Sequence, residues 1–217
     1  MPLLFMTLET GFIALSAAAA ILYALVFNAR APSLLRTAVK TTAVGALAGL
    51  AVIDGAPPFL IAALALSAVG DAFLAGDPRR WLAPGLGAFL FAHLAYIWLF
   101  MRIGGGRAAL EAEPWRALGV FGAVAAGAMM LTWLWGSIGP LRPAVAVYAA
   151  ALAAMTAAAF TLPRLFWPAM AGAVLFMASD ALLSAEQFKG RRTVWSGPAI
   201  WAAYFAAQAL MAYAFLR

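Results

Sequence analysis

Apolar stretches of about twenty residues follow one another along almost the whole chain, parted only by short polar, glycine or proline breaks. A run of that length crosses the hydrocarbon of a bilayer as an α-helix, because a helix satisfies its own backbone polar groups where no water can. The pattern predicts an all-α membrane protein. The breaks place eight candidate spans at about 5–27, 35–53, 57–76, 82–101, 115–135, 141–160, 165–184 and 194–215 of the 217 residues. The longest connection runs from Arg102 to Pro114, so residues 1–217 read as a single integral-membrane domain.

Charge sets the expected orientation. In a soluble protein the net charge of +6 would point to nucleic acid. Here the basic residues lie mainly at helix ends, where a positive-inside bias accounts for them, and no nucleic-acid partner is expected. Connections after spans 1, 3, 5 and 7, with the adjacent helix ends, hold nine Lys or Arg, including Arg79, Arg80, Arg191 and Arg192; the opposite side holds five. The nine-residue side is therefore predicted to be cytoplasmic, with both termini outside the cytoplasm. No basic residue precedes the first apolar run, which reads as a retained helix and not as a cleaved signal. The absence of cysteine removes thiolate, disulfide and iron–sulfur chemistry, and a single histidine cannot build a three-His or Cys-rich zinc site. No metal or cofactor is expected, and no Gly-x-Ser-x-Gly elbow or Walker-type loop occurs.

Two passages repeat. Gly70-Asp71-Ala72-Phe73-Leu74-Ala75-Gly76-Asp77 returns as Ser179-Asp180-Ala181-Leu182-Leu183-Ser184-Ala185-Glu186, and each copy then meets paired arginines and a tryptophan. Leu35-Arg36-Thr37-Ala38-Val39, at the head of the second span, is echoed by Leu141-Arg142-Pro143-Ala144-Val145 at the head of the sixth. The offsets, 109 and 106, agree closely enough to predict duplication. The expected architecture is eight transmembrane helices as two parallel four-helix repeats, with halves at about 1–106 and 107–217. Four crossings is an even number, so both copies insert the same way up.

An ionised carboxylate in hydrocarbon costs about 3 kcal/mol on insertion scales, which makes Asp71 and Asp180 candidate site residues. The competing reading makes each a structural partner of Lys40 or an arginine. At 1.5 Å per residue, Lys40, Tyr148, Tyr204, His93, Gln208 and both aspartates all fall in the basic-side half of the bilayer. One polar cavity opening to that leaflet would collect them. Lys40 reads equally as a snorkelling interface residue, and His93 as a satisfied buried group. Tyr148, Tyr204 and Gln208 read also as packing or interhelical hydrogen-bonding residues. Asp77 and Glu186 read as solvated helix ends, and Trp81 and Trp195 as interface anchors. The helices are rich in alanine and glycine, which permits close packing within or between protomers.

At these residues the chain resembles the YhhN-like lysoplasmalogenase family of eight-span membrane hydrolases. The likeness lies in Gly70-Asp71 with Leu74, in His93 and Tyr96, in Ser179-Asp180 with Leu183 and Phe188, and in Tyr204 with Gln208. Lys40 falls where the family has a lysine, although Thr41 stands where a proline is expected next. The resemblance implies hydrolysis of the vinyl ether of a lysophospholipid, releasing a fatty aldehyde and a glycerophospho-headgroup, in a bacterial inner membrane. That reaction starts with protonation of an alkenyl carbon and continues with water attacking an oxocarbenium ion. It needs a protonated acid and a carboxylate, a division of labour also used by glycosidases. Asp71 and Asp180 are the expected catalytic pair, with acid and base left open, and His93 a proton relay or water-orienting group. Lys40, with Arg79 or Arg192 at the mouth, would hold the substrate phosphate, and Tyr148, Tyr204 and Gln208 would line the site. A small proton-coupled transporter is the rival reading, since parallel repeats and intramembrane carboxylates also describe carriers.

Overall fold

A computed structural model describes residues 2–216, with the side chains of 7–77 and 80–216. Regular structure among the described residues is helical throughout. The helices are α1 (Pro2–Leu22), α2 (Leu34–Ile53), α3 (Pro58–Leu74), α4 (Pro78–Ile103), α5 (Gly106–Ala112), α6 (Trp115–Leu134), α7 (Arg142–Ala159), α8 (Trp167–Lys189) and α9 (Ser196–Tyr213). A π-helical turn, Tyr23–Phe27, continues α1.

A helix stands at each of the eight expected positions, and α5 is an addition inside the longest connection. Among the described residues, six segments are long and apolar enough to cross a membrane: Thr7–Phe27, Leu34–Ile53, Arg80–Ile103, Trp115–Leu134, Gly139–Ala159 and Arg164–Lys189. The α3 helix is apolar but has 17 residues. In α9, Gln208, the tyrosines and Pro198 lower the hydropathy. These apolar helices make the chain an integral membrane protein.

Local chemistry explains where the helices begin and end. The Ser33 hydroxyl accepts from Arg36 N at 3.2 Å and caps α2. Proline at the first position of α3 supplies a preset φ where no amide donor is needed. Gly190 closes α8 in the left-handed region at φ 63°. That cap extends α8 five residues past the expected end at 184 and carries Glu186 inside the helix. Glu186 is half-buried and accepts a hydrogen bond from Ser196, so it is not a solvated terminus.

The chain forms two compact units, Met1–Ala95 with Phe215–Arg217, and Tyr96–Ala214. In the first, α2 packs against both α1 and α3. Ser16 Oγ donates to Ala43 O at 2.6 Å, tying α1 to α2. Gly70 lets the Phe89 ring of α4 lie against α3, since a Cβ there would come within 2.5 Å of that ring. In the second unit α6 packs on α7, α7 on α8 and α8 on α9. A Cβ at Gly172 would stand 2.8 Å from Ala207 O, so α8 and α9 approach backbone to backbone. Large apolar side chains face outward, Leu25, Leu118, Phe121 and Met129 each more than 70% exposed. That reversal of the soluble pattern suits a surface bathed in lipid.

Candidate active site

In the first unit the site is built around Asp71, on α3 one turn before the helix ends. Its side chain is 1% exposed and pairs with Lys40 Nζ of α2 at 3.0 Å. The same ammonium lies 5.9 Å from the centre of the Tyr23 ring, at the start of the π-helical turn. Arg36, one turn before Lys40, clamps this arrangement. Its Nη2 donates to Tyr23 Oη at 2.9 Å, its Nε to Phe27 O at 3.1 Å, and its Nη1 to Ala75 O. Phe27 and Ala75 sit at the C-terminal ends of their helical segments, whose last carbonyls lack intrahelical donors and carry the negative end of the dipole. One guanidinium thus satisfies two helix ends and fixes Tyr23 beside Lys40. Ser67, one turn before Asp71 on the same face of α3, and Thr41, next to Lys40, bury hydroxyls without a hydrogen-bond partner among the described residues. His93 is fully buried on α4, one turn beyond Phe89.

The second unit repeats the theme with different chemistry. Asp180 of α8, 7% exposed, accepts a hydrogen bond from Tyr148 of α7 through Oδ2. Phe176, one turn before Asp180, meets the Tyr204 ring edge-on at 5.5 Å, and Tyr204 packs also on Trp201 at 5.8 Å. Gln208, one turn past Tyr204, accepts from Tyr96 Oη at 2.7 Å, with both side chains fully buried. The Gln208 Nε2 group has no hydrogen-bond partner among the described residues.

The structure therefore joins Lys40 to Asp71, Tyr148 to Asp180, and Gln208 to Tyr96. Arg192 lies exposed beyond Gly190, whereas its neighbours Lys189 and Arg191 stack over Trp133 at 5.4 and 5.6 Å. The side chain of Arg79 lies outside the described residues. Sequence reasoning missed Tyr23 and the clamp role of Arg36, since a π-helical turn and a three-acceptor arginine leave no periodic signal. A second arginine clamp also escaped it. Arg116, 2% exposed, donates through Nη1 to Phe160 O at 2.8 Å and Leu162 O at 2.5 Å. Glu113 beside it accepts from Arg164 Nε at 3.0 Å and from Trp115 Nε1 at 2.8 Å. These donors, Arg164 first, hold the Glu113 carboxyl down at about 2.

Comparison with known proteins supplies a family. The YhhN family model matches residues 35–215. Two curated relatives named lysoplasmalogenase, from Mycobacterium bovis and Mycobacterium tuberculosis, are each 38% identical over 164 residues, covering 72% of this chain. The match spans 60% of each relative's length. No solved structure matches the chain.

Proposed function

The chain belongs to the YhhN family, and on that premise we propose that it is a lysoplasmalogenase-like hydrolase. Its substrate is an alkenyl lysophospholipid, whose vinyl ether it cleaves to a fatty aldehyde and a glycerophospho-headgroup. The observation that carries the reading is that Asp71 and Asp180, both buried, are each held by a dedicated side chain from a neighbouring helix. Carboxyls placed at such cost in an apolar bundle suit proton transfer to an alkenyl carbon and activation of water. His93 serves as relay or water-orienting group. Lys40, committed to Asp71, orients that carboxylate, which leaves the substrate phosphate to Arg79 and Arg192. Tyr204 and the unsatisfied Gln208 Nε2 suit contact with the polar part of the lipid. Relatives named for a hydrolytic activity favour this reading over a carrier.

The architecture is proposed on the same footing. At 17 and 18 residues, α3 and α9 fall within the range of about 17–25 that crosses a bilayer. They complete an eight-span bundle of two parallel repeats in the bacterial plasma membrane, its basic connections and its site towards the cytoplasm. A one-chain lipid then reaches the site sideways from the leaflet.

Aldehyde release from an alkenyl-lysophosphatidylethanolamine, by purified protein in detergent, tests the function. Wild type is expected to turn over, and Asp71→Asn and Asp180→Asn to lose about 100- to 10,000-fold each while remaining folded. A folded wild type that releases no aldehyde from any headgroup defeats the proposal.

A further inference from the structure

Lys189 and Arg191 stand on either side of the glycine that ends α8, and both reach one indole of the same unit. Gly190 between them takes φ 63°, and the Arg191 amide donates back to Ala185 O at 3.1 Å. That bond folds the chain onto the last turn of the helix, so the residues before and after the glycine serve one place. Lys189 Nζ lies 5.4 Å, and the Arg191 guanidinium carbon 5.6 Å, from the centre of the Trp133 ring at the end of α6. The two charges are therefore no more than about 11 Å apart. Like charges gathered on one ring repel, and an exposed indole offsets little of that. Among the described residues no carboxylate pairs with either cation, and Glu186, on the last turns of α8, accepts from Ser196 instead. An anion from outside the chain relieves the repulsion, and two side chains of this length can close on one phosphate.

The surface beside the cations indicates where that phosphate comes from. The α6 helix is less enclosed than the other five apolar segments, with 11% of its apolar stretch buried against 28% or more in each of them. Leu118, Phe121 and Met129, on the face that carries Trp133, are each more than 70% exposed, and Trp133 itself is 42% exposed. Trp133 lies twelve residues beyond Phe121, about 18 Å at the helical rise, slightly more than one leaflet of a hydrocarbon core of about 30 Å. A lipid whose phosphate rests on Lys189 and Arg191 thus lays its tails over Met129 and Phe121. We propose that this corner of the second unit binds one anionic glycerophospholipid of the surrounding bilayer. Lys189 and Arg191 hold its phosphodiester, and the exposed face of α6 receives its acyl chains. A zwitterionic headgroup brings an ammonium that the two cations repel, so the site selects a headgroup of net negative charge. The proposal does not depend on the hydrolase reading, in which neither cation takes part.

The test is native mass spectrometry of the full chain in neutral detergent, titrated with phosphatidylglycerol or with phosphatidylcholine of the same acyl chains. Wild type is expected to retain one phosphatidylglycerol in preference to phosphatidylcholine. Lys189→Gln and Arg191→Gln are each expected to weaken that binding about fivefold, and the double variant about thirtyfold. Arg30→Gln removes the same charge from an exposed residue of the first unit and is expected to leave the binding within about twofold of wild type. Exchanging the pair, Lys189→Arg with Arg191→Lys, keeps both cations and is expected to keep the lipid, which separates lost charge from failure to fold. Equal retention of the two lipids, unchanged retention in the double variant, or an equal loss in Arg30→Gln overturns the proposal. So does displacement of the lipid by inorganic phosphate, which would make this a site for free anions. A paired chain that excludes the lipid would make the face of α6 a contact between copies, and overturns it too.

Discussion

Glu113 shows what a single carboxylate outside the spans does for the fold. It gathers Arg164, Trp115 and Arg116, and through Arg116 it reaches the carbonyls that end α7. Its acidity is strengthened from an ordinary 4.5 to about 2, so folding favours the ionised form. The sign follows directly: the unfolded chain binds this proton more readily than the folded one, so stability from the group is present above about 4.5 and is lost as pH falls towards 2. Glu113→Gln is expected to lower the melting temperature by an amount constant from pH 8 to about 5 and shrinking below that. Thermal scans of both proteins in one detergent would check it, and a difference that grows on acidification would contradict the latch. At the same scale, Asp71, Asp180 and Lys40 were legible in the sequence because charge in an apolar run is conspicuous. The Lys40–Asp71 pair was legible only as the competing structural reading, since Lys40 had a snorkelling alternative that only the position of α3 removes.

Among the elements, α8 and α9 approach backbone to backbone, and that approach depends on Gly172. A side chain there meets Ala207 O at 2.8 Å and Met211 N at 3.3 Å, and backbone cannot yield as a flexible side chain can. Gly172→Val is expected to destabilise the second unit by about 1–3 kcal/mol. Because α8 carries Asp180 and α9 carries Tyr204 and Gln208, activity should fall with it. Unfolding in a denaturing detergent titration reports the stability and aldehyde release the activity; an unchanged midpoint would show that the helices part without cost. Helix positions were visible from hydropathy alone. Ends were less so, because Gly190 stops α8 only after the polar residues Ser184, Glu186 and Gln187, which look like a connection. Ser184 and Glu186 instead sit half-buried.

For the whole molecule, the eight-span proposal makes a topological prediction. Reporter fusions should place both termini outside the cytoplasm and the connections at 28–33, 76–77 and 190–195 inside it. Termini found on opposite sides would remove one span, and α3 or α9 would be the one to doubt. The proposed duplication rests on two short phrases. Offsets of 109 for the aspartates and 106 for the helix heads do not themselves align Lys40 with Tyr148, whose separation is 108.

Composition and spacing by themselves determined that this chain is a helical membrane protein, where its helices lie, and that two buried acids set it apart from inert lipid-facing helices. Those properties follow from local transfer energies, which each residue pays or gains whatever its neighbours are. Tertiary structure alone decided that Asp71 faces an ammonium and Asp180 a phenol, that Arg36 closes two helix ends, and that Tyr23 stands beside Lys40. Hydrogen bonds and ion pairs act over about 3 Å, and contacts of that reach exist only once packing has set the distance and rotation between helices.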